Sequence, residues 1–391
     1  MNLRLVLSLV LLPSISVTGF GQSIPEKGTG TTFDLATWNI EWFGGPNGPS
    51  NDEQQILNVL DVFRSSGIDM WALQEIADAS DFTRLLDSLG SNYSGFLATE
   101  SSEQKIGFLY NTEVVRLISQ SHILTSFDSD FATRPPLQMK AEITIGDSSQ
   151  VVTFITIHMK AFSDLESYNK RKAASGRLKN HIDFTTLEDE PVVILGDFND
   201  ELASSITFGQ DSPYENFLMD PDDYFFATQE MEQDGRNTWC SNFSCTSGST
   251  IDHILLTNEF LPYLVASSTD HYDELLDAIN SYSSTTSDHL PAFARFDLNR
   301  VSAIENDLPG EQSTAVSYPN PFSDTFSLRR NGIIDPSARA SVFDITGRRV
   351  LEVSLGSQPE FKVDLTGYPS GVYFVQVTSR KGLAALRVVK L

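Results

Sequence analysis

The chain has 391 residues, 40% of them hydrophobic, and a formal net charge of −25. That length and apolar content exclude wholesale disorder and leave room for more than one domain. The acidity excludes loose electrostatic attachment to nucleic acid, although a divalent cation can supply positive charge locally at a phosphate-processing site.

In chain order, the first stretch is MNLRLVLSLVLLPSISVTGFGQS, with Arg4 near its start, an apolar run from Leu5 to Leu12, a break at Pro13, and the small residues Gly19 and Gly21. Residues 1–21 are expected to be a signal peptide cut after Gly21, because the apolar run is too short for a membrane span of about 20 residues. From residue 33 to residue 297 short apolar runs alternate with helical stretches. FDLATWNI, MWALQEI, KIGFLYN, VVTFITIHM, PVVILGDF, IDHILLT and PAFARFDL are rich in Val, Ile, Phe and Leu and end in polar residues, as strands do. NDEQQILNVLDVFRSSGI, DFTRLLDSLG and YNKRKAASGRLKNHIDFT have helical spacing. Nearly continuous apolar strands interleaved with helices predict sheets covered by helices, an α/β layered domain over residues 30–300.

Two cysteines occur, Cys240 and Cys245, in the polar loop TWCSNFSCTSG. In an exported chain they are expected to pair. Free thiols or half of a metal site are the alternatives, but no further Cys and no His in the loop would complete a zinc site. Near residue 300 the texture changes. Residues 301–314 are polar and aperiodic, which suits a linker, and residues 315–391 hold short strands separated by Gly, Pro and Asp-Ile-Thr-Gly turns, as in a small β-sandwich. From Gln312 onward there are ten Lys or Arg against six Asp or Glu, so the acid is concentrated in the first domain.

The ends of the predicted strands carry the chemistry. Asn39 ends ATWN, Glu75 ends WALQE, His158 ends FITIH, and Asp197 and Asn199 follow VVILG. Asp252 and His253 open IDHILL, and Asp288 and His289 precede LPAFARF. One polar strand end means nothing. Six of them, drawn from distant parts of the chain and all bearing Asn, Glu, Asp or His, form the inventory of metal-assisted phosphoester hydrolysis: oxygen ligands for Mg²⁺ or Ca²⁺, a base for water, and donors to phosphate oxygens.

The set TWNIEWF, LQEI, IGFLYN, TIHMKAF, GDFND, STIDHIL and SDHLP, in this order over residues 33–297, resembles the endonuclease/exonuclease/phosphatase superfamily. The resemblance implies a four-layer α/β sandwich of two mixed sheets flanked by helices, with the active site at one end of the sheets. It implies a metal-dependent phosphoric ester hydrolase using Mg²⁺, with Mn²⁺ or Ca²⁺ as alternatives. A nuclease acting on extracellular nucleic acid, chiefly DNA, is the leading activity. A phosphomonoesterase or a phospholipid phosphodiesterase on the same fold is the alternative, and a catalytically dead binding module is disfavoured by the complete residue set. Carried over by motif, Glu75 resembles the principal metal carboxylate, with Asn39 and Asp288 beside it. Asp197 and Asn199 resemble the pair that positions the attacking water and holds a phosphate oxygen. Asp252 and His289 resemble an Asp–His dyad in which the carboxylate fixes the tautomer and raises the basicity of the imidazole. His158 resembles the second histidine, which contacts phosphate or protonates the leaving oxygen. Tyr110 matches an aromatic placed near the phosphate, and Lys160 is within reach of one. Glu103 or Gln104 falls where the family places an acid that supports the second histidine.

Other polar residues have plainer expectations. His122, His181 and His271 match no motif and are expected to be structural or superficial. His253 should face away from Asp252 by strand alternation. Arg171 and Arg177 are expected on a solvated helix face. Trp38, Trp42, Phe43 and Trp71 are expected in the core, with Trp42 also able to line the cleft. The C-terminal segments YPNPF, VFDITGRRV, DLTGYPSGVYFVQV and LRVVKL look like the type A sorting domain of the type IX secretion system. This implies passage through the periplasm and across the outer membrane, the secretion machinery as a partner, no stable membrane insertion, and a secreted or surface location.

Overall fold

The computed structural model describes residues 23–99, 103–299, 314–319, 321–331, 338–344, 348–379 and 382–391. The expected signal peptide and all but the last residue of the expected linker lie outside these residues. The chain divides into two compact units, Met1–Val301 and Ser302–Leu391.

The first unit holds two six-stranded mixed sheets. One contains β1 (Phe33–Phe43), β2 (Met70–Ile76), β3 (Tyr93–Leu97), β4 (Lys105–Asn111), β13 (Asp270–His271) and β14 (Ala292–Phe296), in the order β13-β14-β1-β2-β4-β3. The other contains β5 (Val115–His122), β6 (Leu137–Ile145), β7 (Ser148–His158), β8 (Val192–Asp197), β9 (Tyr224–Phe226) and β12 (Asp252–Thr257), in the order β5-β6-β7-β8-β12-β9. A two-stranded ribbon, β10 (Trp239–Cys240) and β11 (Gly248–Ser249), stands beside them. Each large sheet has one parallel pair, β1 with β2 and β7 with β8, joined through a helix. These helices are α1 (Asp52–Ser65) and α3 (Leu165–Asp183), with α2 (Ala79–Leu89) between β2 and β3. Side chains start all three: Asn51 accepts from the Gln54 N–H, Asp78 from Ser80 and Asp81, and Asp164 from Ser167.

Strand alternation sorts the apolar residues into layers. On β8, Val193 and Leu195 enter the core between the sheets with Phe33, Phe154 and Phe296. Their neighbours Val192 and Ile194 pack outward with Leu178 and Ile182 of α3. On β1, Leu35 points inward, while Ala36 and Trp38 meet Phe63 of α1 and Trp71. Burial on both faces is why the strands read as unbroken apolar runs. The result is the expected four-layer sandwich. The sequence reading missed β6: its segment LQMKAEITI alternates strictly, because its even positions are partly open while Leu137, Met139, Ala141, Ile143 and Ile145 are buried.

The topology sets the position of the site. A parallel strand presents its C-terminal end, and an antiparallel neighbour its N-terminal end, at the same edge of a sheet. The ends of β1, β2, β7 and β8 therefore gather with the start of β12, where Asp252 pairs with Asp197, and with the residues that lead into β14. Among its described residues the second unit is all β, with sheets ordered β15-β16-β19 and β18-β17-β20-β21 over seven strands: β15 (Thr314–Tyr318), β16 (Thr325–Asn331), β17 (Arg339–Asp344), β18 (Arg349–Ser354), β19 (Glu360–Asp364), β20 (Gly371–Ser379) and β21 (Gly382–Lys390). It has its own core around Phe326, Leu328, Val342 and Val375. Among the described residues no helix is long and apolar enough to cross a membrane.

Candidate active site

At the gathered strand ends Asn39 is the central strut. Its Nδ2 donates to Glu75 Oε1 at 3.2 Å and to Asp197 Oδ2 at 3.0 Å, tying one sheet to the other. Its Oδ1 accepts the N–H of Glu41 at 3.0 Å. Beneath it a buried polar ladder runs from Thr37 to Gln74 and from Gln74 to Thr156, again across the sheets. Glu75 accepts the Trp42 N–H at 3.2 Å, and its backbone is left-handed at φ 61. Glu41 and Trp42, in the bulge that closes β1, and Asn199 are also left-handed. Left-handed non-glycine residues gathered at one edge mark strain held for function.

Gly196 lets β8 come close to β7. A Cβ there would lie 2.1 Å from the Ile157 carbonyl oxygen, and φ is 151. The next rung sets His158 against Asp197. His158 Nε2 lies 3.5 Å from Asp197 Oδ2 and 3.7 Å from Glu75 Oε1, while its buried Nδ1 has no partner. Asp197 Oδ1 accepts the Asn199 N–H at 2.8 Å, and Asn199 Nδ2 reaches the Met159 carbonyl. Fully buried Asp252 holds His289 Nδ1 at 2.8 Å and keeps its other oxygen unpaired. The His289 carbonyl accepts from Trp38 and Tyr282, and its N–H donates to Ser287, which bonds the Asn39 carbonyl in turn. Asp288 accepts from Trp239 Nε1 at 3.1 Å, and its N–H donates to Glu41 Oε2 at 3.0 Å. Glu75, His158, Asp197, Asn199, Asp288 and His289 line a single cleft of about 630 Å³.

The electrostatics divide the two histidines. Burial, with the charges of Arg134, His289 and Lys160, pushes His158 well below its ordinary value. Burial is the largest single effect on His289 and opposes its charge, but the charge and hydrogen bond of Asp252, joined by the charges of Asp288 and Asp197, together hold the imidazole well above its usual range. Burial and the neighbouring Asp252 push Asp197 up to about 7. Burial and Asp288 do the same to Glu41, also to about 7. Among the described residues, Asp197, Asp252 and His289 form the group whose potential ligand atoms all lie within 4.8 Å of one another. Asp252 is already committed to His289, so that trio is better suited to proton transfer. The donors left over are the hard oxygens of Glu75, Glu41 and Asp288, whose mutual repulsion is what a divalent cation relieves; the residues fit such an ion.

Several expectations need correction. Tyr110 does not reach the cleft: β4 runs antiparallel to β2, so Tyr110 pairs with Met70 at the opposite end from Glu75 and is buried between the sheets. Arg171 is not on a solvated face: it is 0% exposed and pairs with Asp200 at 2.8 Å. Neither Glu103 nor Gln104 supports the His158 ring. Gln104 accepts instead from Arg134, whose guanidinium also donates to the carbonyls of His158 and Met159 and so braces the end of β7. Lys160 stands beside the cleft, 4.5 Å from the Phe162 ring centre. Arg177 does lie at the surface, near Asp130 and over Phe127. His253 faces away from the site, as alternation requires, bonding Thr228 and the Asp200 carbonyl. His122, His181 and His271 make local bonds away from it. Cys240 and Cys245 are joined, and the Cys240 N–H donates to the Asp288 carbonyl, so the disulfide loop buttresses one wall. Glu41, Arg134 and Gln55 were missed; Gln55 is a buried helix residue whose amide donates to the carbonyls of Ile40, Glu41 and Thr286. The available signals were the one acid inside the TWNIEW motif, an arginine before Pro135-Pro136, and a glutamine on the apolar face of α1.

Comparison with known proteins agrees with this geometry. The endonuclease/exonuclease/phosphatase family matches residues 36–289, and a secretion system C-terminal sorting domain matches residues 316–390. No curated protein matches the chain. Among solved structures, an endonuclease/exonuclease/phosphatase from Bacteroides vulgatus is 16% identical with a TM-score of 0.52, over 68% of this chain and 99% of that one. Humanized D. rerio TDP2 is 16% identical with a TM-score of 0.50, over 68% and 99%. An endonuclease/exonuclease/phosphatase from Beutenbergia cavernae is 13% identical with a TM-score of 0.51, over 92% and 100%. At these identities the structures speak for the fold alone. The type IX sorting domain marks the protein for export to the cell surface or beyond. The chain belongs to the endonuclease/exonuclease/phosphatase family.

Proposed function

We propose that the protein is an exported, divalent-metal-dependent phosphodiesterase that hydrolyses extracellular nucleic acid. The observation that carries this reading is the buried Asp252–His289 pair, 2.8 Å apart, set in one cleft with His158, Asp197, Asn199 and Glu75. In this reading Asp197 takes the proton from water, since a carboxyl pushed up to about 7 is matched to proton uptake near neutrality. Asn199 holds a phosphate oxygen. His289, kept charged by Asp252, gives its proton to the leaving oxygen, while neutral His158 contacts the phosphate. Which histidine is the acid is not readable from the motifs, and the charge held on His289 supports the acid's role for the dyad. A bound Mg²⁺ would offset charge on the phosphate oxygens; Glu75, Asn39 and Asp288, with Glu41 beside them, are the residues that would hold it. Attack is in line with the departing oxygen.

The test is supercoiled plasmid incubated with the exported chain and Mg²⁺, with and without chelator, beside His289→Ala. Metal-dependent nicking lost in the variant supports the reading. An intact plasmid and an intact single-stranded oligonucleotide, alongside hydrolysis of phosphomonoesters or phospholipids, would replace the nuclease with the alternative substrate class.

A further inference from the structure

Phe162 stands out among the exposed aromatic residues. A lone exposed Phe is ordinary on a protein surface. Phe162, however, lines the catalytic cleft, leaves 67% of its surface in water, and has a left-handed backbone at φ 82. Such a conformation persists only where its surroundings impose it. Here Arg171 imposes it: one guanidinium nitrogen donates to the Lys160 carbonyl at 2.7 Å and to the Phe162 carbonyl at 2.8 Å. Arg171 is itself locked inside the protein by Asp200, the residue after Asn199. The backbone that carries the ring is therefore fixed relative to the proposed phosphate-holding loop. Lys160 Nζ lies 4.5 Å from the ring centre, which sets a cation beside an aromatic platform. The cleft also carries Trp239, on a segment bridged to His289 at the end of the other sheet.

We infer that Phe162 is a stacking platform for a nucleobase next to the scissile phosphate, with Lys160 meeting a flanking phosphate, so that the enzyme selects single-stranded over duplex nucleic acid. The inference rests on the phosphodiesterase reading above and deepens it. Charge decides the strand state. Residues 1–301 carry 17 Lys or Arg against 43 Asp or Glu, so this unit repels a long polyanion instead of gathering it. Binding must then come from contacts close to the reacting phosphate. Stacking on an aromatic ring is such a contact, and a base already stacked in a duplex cannot make it. An acyl chain is a poorer fit, because Phe162 is followed directly by Ser163 and Asp164, which line the same cleft.

The experiment compares the wild type with Phe162→Ala and Phe162→Trp on a short single-stranded oligonucleotide, the same strand annealed to its complement, and the same strand with abasic tetrahydrofuran units flanking the scissile phosphate. Phe184→Ala, which removes a ring exposed at the far end of α3, is the control. The expected result is wild-type preference for the single strand, and a ~10- to 100-fold loss of kcat/KM for Phe162→Ala on the base-bearing strand. Phe162→Trp should retain activity, and Phe162→Ala should equal the wild type on the abasic strand. Equal losses on both strands would reduce Phe162 to a loop-shaping residue and overturn the inference, as would no loss on either. Failure of the wild type to cleave any nucleic acid while it hydrolyses an aryl phosphodiester would sink the nuclease reading itself.

Discussion

Replacing Gly196 with alanine tests how the sheet builds the site. An added Cβ would lie 2.1 Å from the Ile157 carbonyl oxygen and 2.9 Å from the Ile157 nitrogen, both backbone atoms that cannot rotate away. A carbon and a carbonyl oxygen on neighbouring strands ordinarily approach to about 3.3 Å. β7 and β8 must therefore part by roughly 1 Å at this rung. The φ of 151 adds strain for any residue with a Cβ. Together these terms should cost roughly 2–4 kcal/mol of stability. The functional cost is larger than the variant's melting would suggest, because the next rung is His158 opposite Asp197. A displacement of ~1 Å at reacting groups is worth about 100-fold in rate. Thermal unfolding followed by circular dichroism gives the first quantity. Phosphodiester hydrolysis well below the variant's melting temperature, normalised to folded protein, gives the second. A Gly196→Ala protein that is destabilised yet fully active per folded molecule would refute the argument that this close approach aligns the catalytic pair.

Asp252→Asn should leave the fold intact and lower kcat by ~10³- to 10⁴-fold, because the amide offers the wrong partner to His289 Nδ1; steady-state kinetics with circular dichroism checks both halves. Arg171→Met leaves the Asp200 carboxylate buried without its cation and should cost ~3–5 kcal/mol in urea unfolding, with Arg171→Met/Asp200→Asn recovering part of the loss. Asp69, buried at the opposite end of β2, is pushed up to about 7 by burial. A raised folded-state value means that its contribution is present below about 4 and is lost as pH rises through 7, by at most ~4 kcal/mol. Asp69→Asn keeps the acceptor for the Asp34 N–H, so it should flatten stability across that window and raise the melting temperature at pH 8. Reducing Cys240–Cys245 should remove ~2 kcal/mol of loop constraint and lower kcat/KM, because the Trp239 and Cys240 contacts to Asp288 loosen; unchanged melting and activity in reductant would count against that buttress.

Much of this site was legible because of how the layers bury strands. A strand covered on both faces is apolar until it leaves the sheet, so the first polar residue after VVILG or FITIH marks the sheet's edge. What linear motifs do not carry is direction and facing. GFLYN looked like part of the site, yet antiparallel pairing sends its tyrosine to the other end. Arg171 sits among Lys170, Lys172 and Arg177 on a helix that reads as solvated, and only the packing of α3 against the Asn199 loop turns that one guanidinium inward. Glu41 was overlooked because the bulge at the end of β1, with left-handed Glu41 and Trp42, folds it back to accept from Asp288. Arg134 lies in irregular chain before β6, where periodicity has nothing to report.

A perturbed carboxyl does not by itself mark the chemistry, and this protein supplies its own control. Asp69 and Asp197 are both buried and both pushed up to about 7. Asp69 has the Asp34 N–H as a partner and no catalytic neighbour. Asp197 has His158, Asn39, Asn199 and the edge of the Asp252–His289 pair around it, and it opens onto the cleft. The same edge gathers left-handed Glu41, Trp42, Glu75, Phe162 and Asn199, together with unpaired atoms on His158 and Asp252. Each of these features weakens the free fold. They are tolerated together because β1, β2, β7 and β8 are anchored in two apolar cores, so the strands can hold like charges and strained turns in place, ready for the cation and phosphate of the proposed reaction. Burial alone explains the shift at Asp69. Convergence of burial, strain and unmet hydrogen bonds at one sheet edge is what supports the role proposed for Asp197.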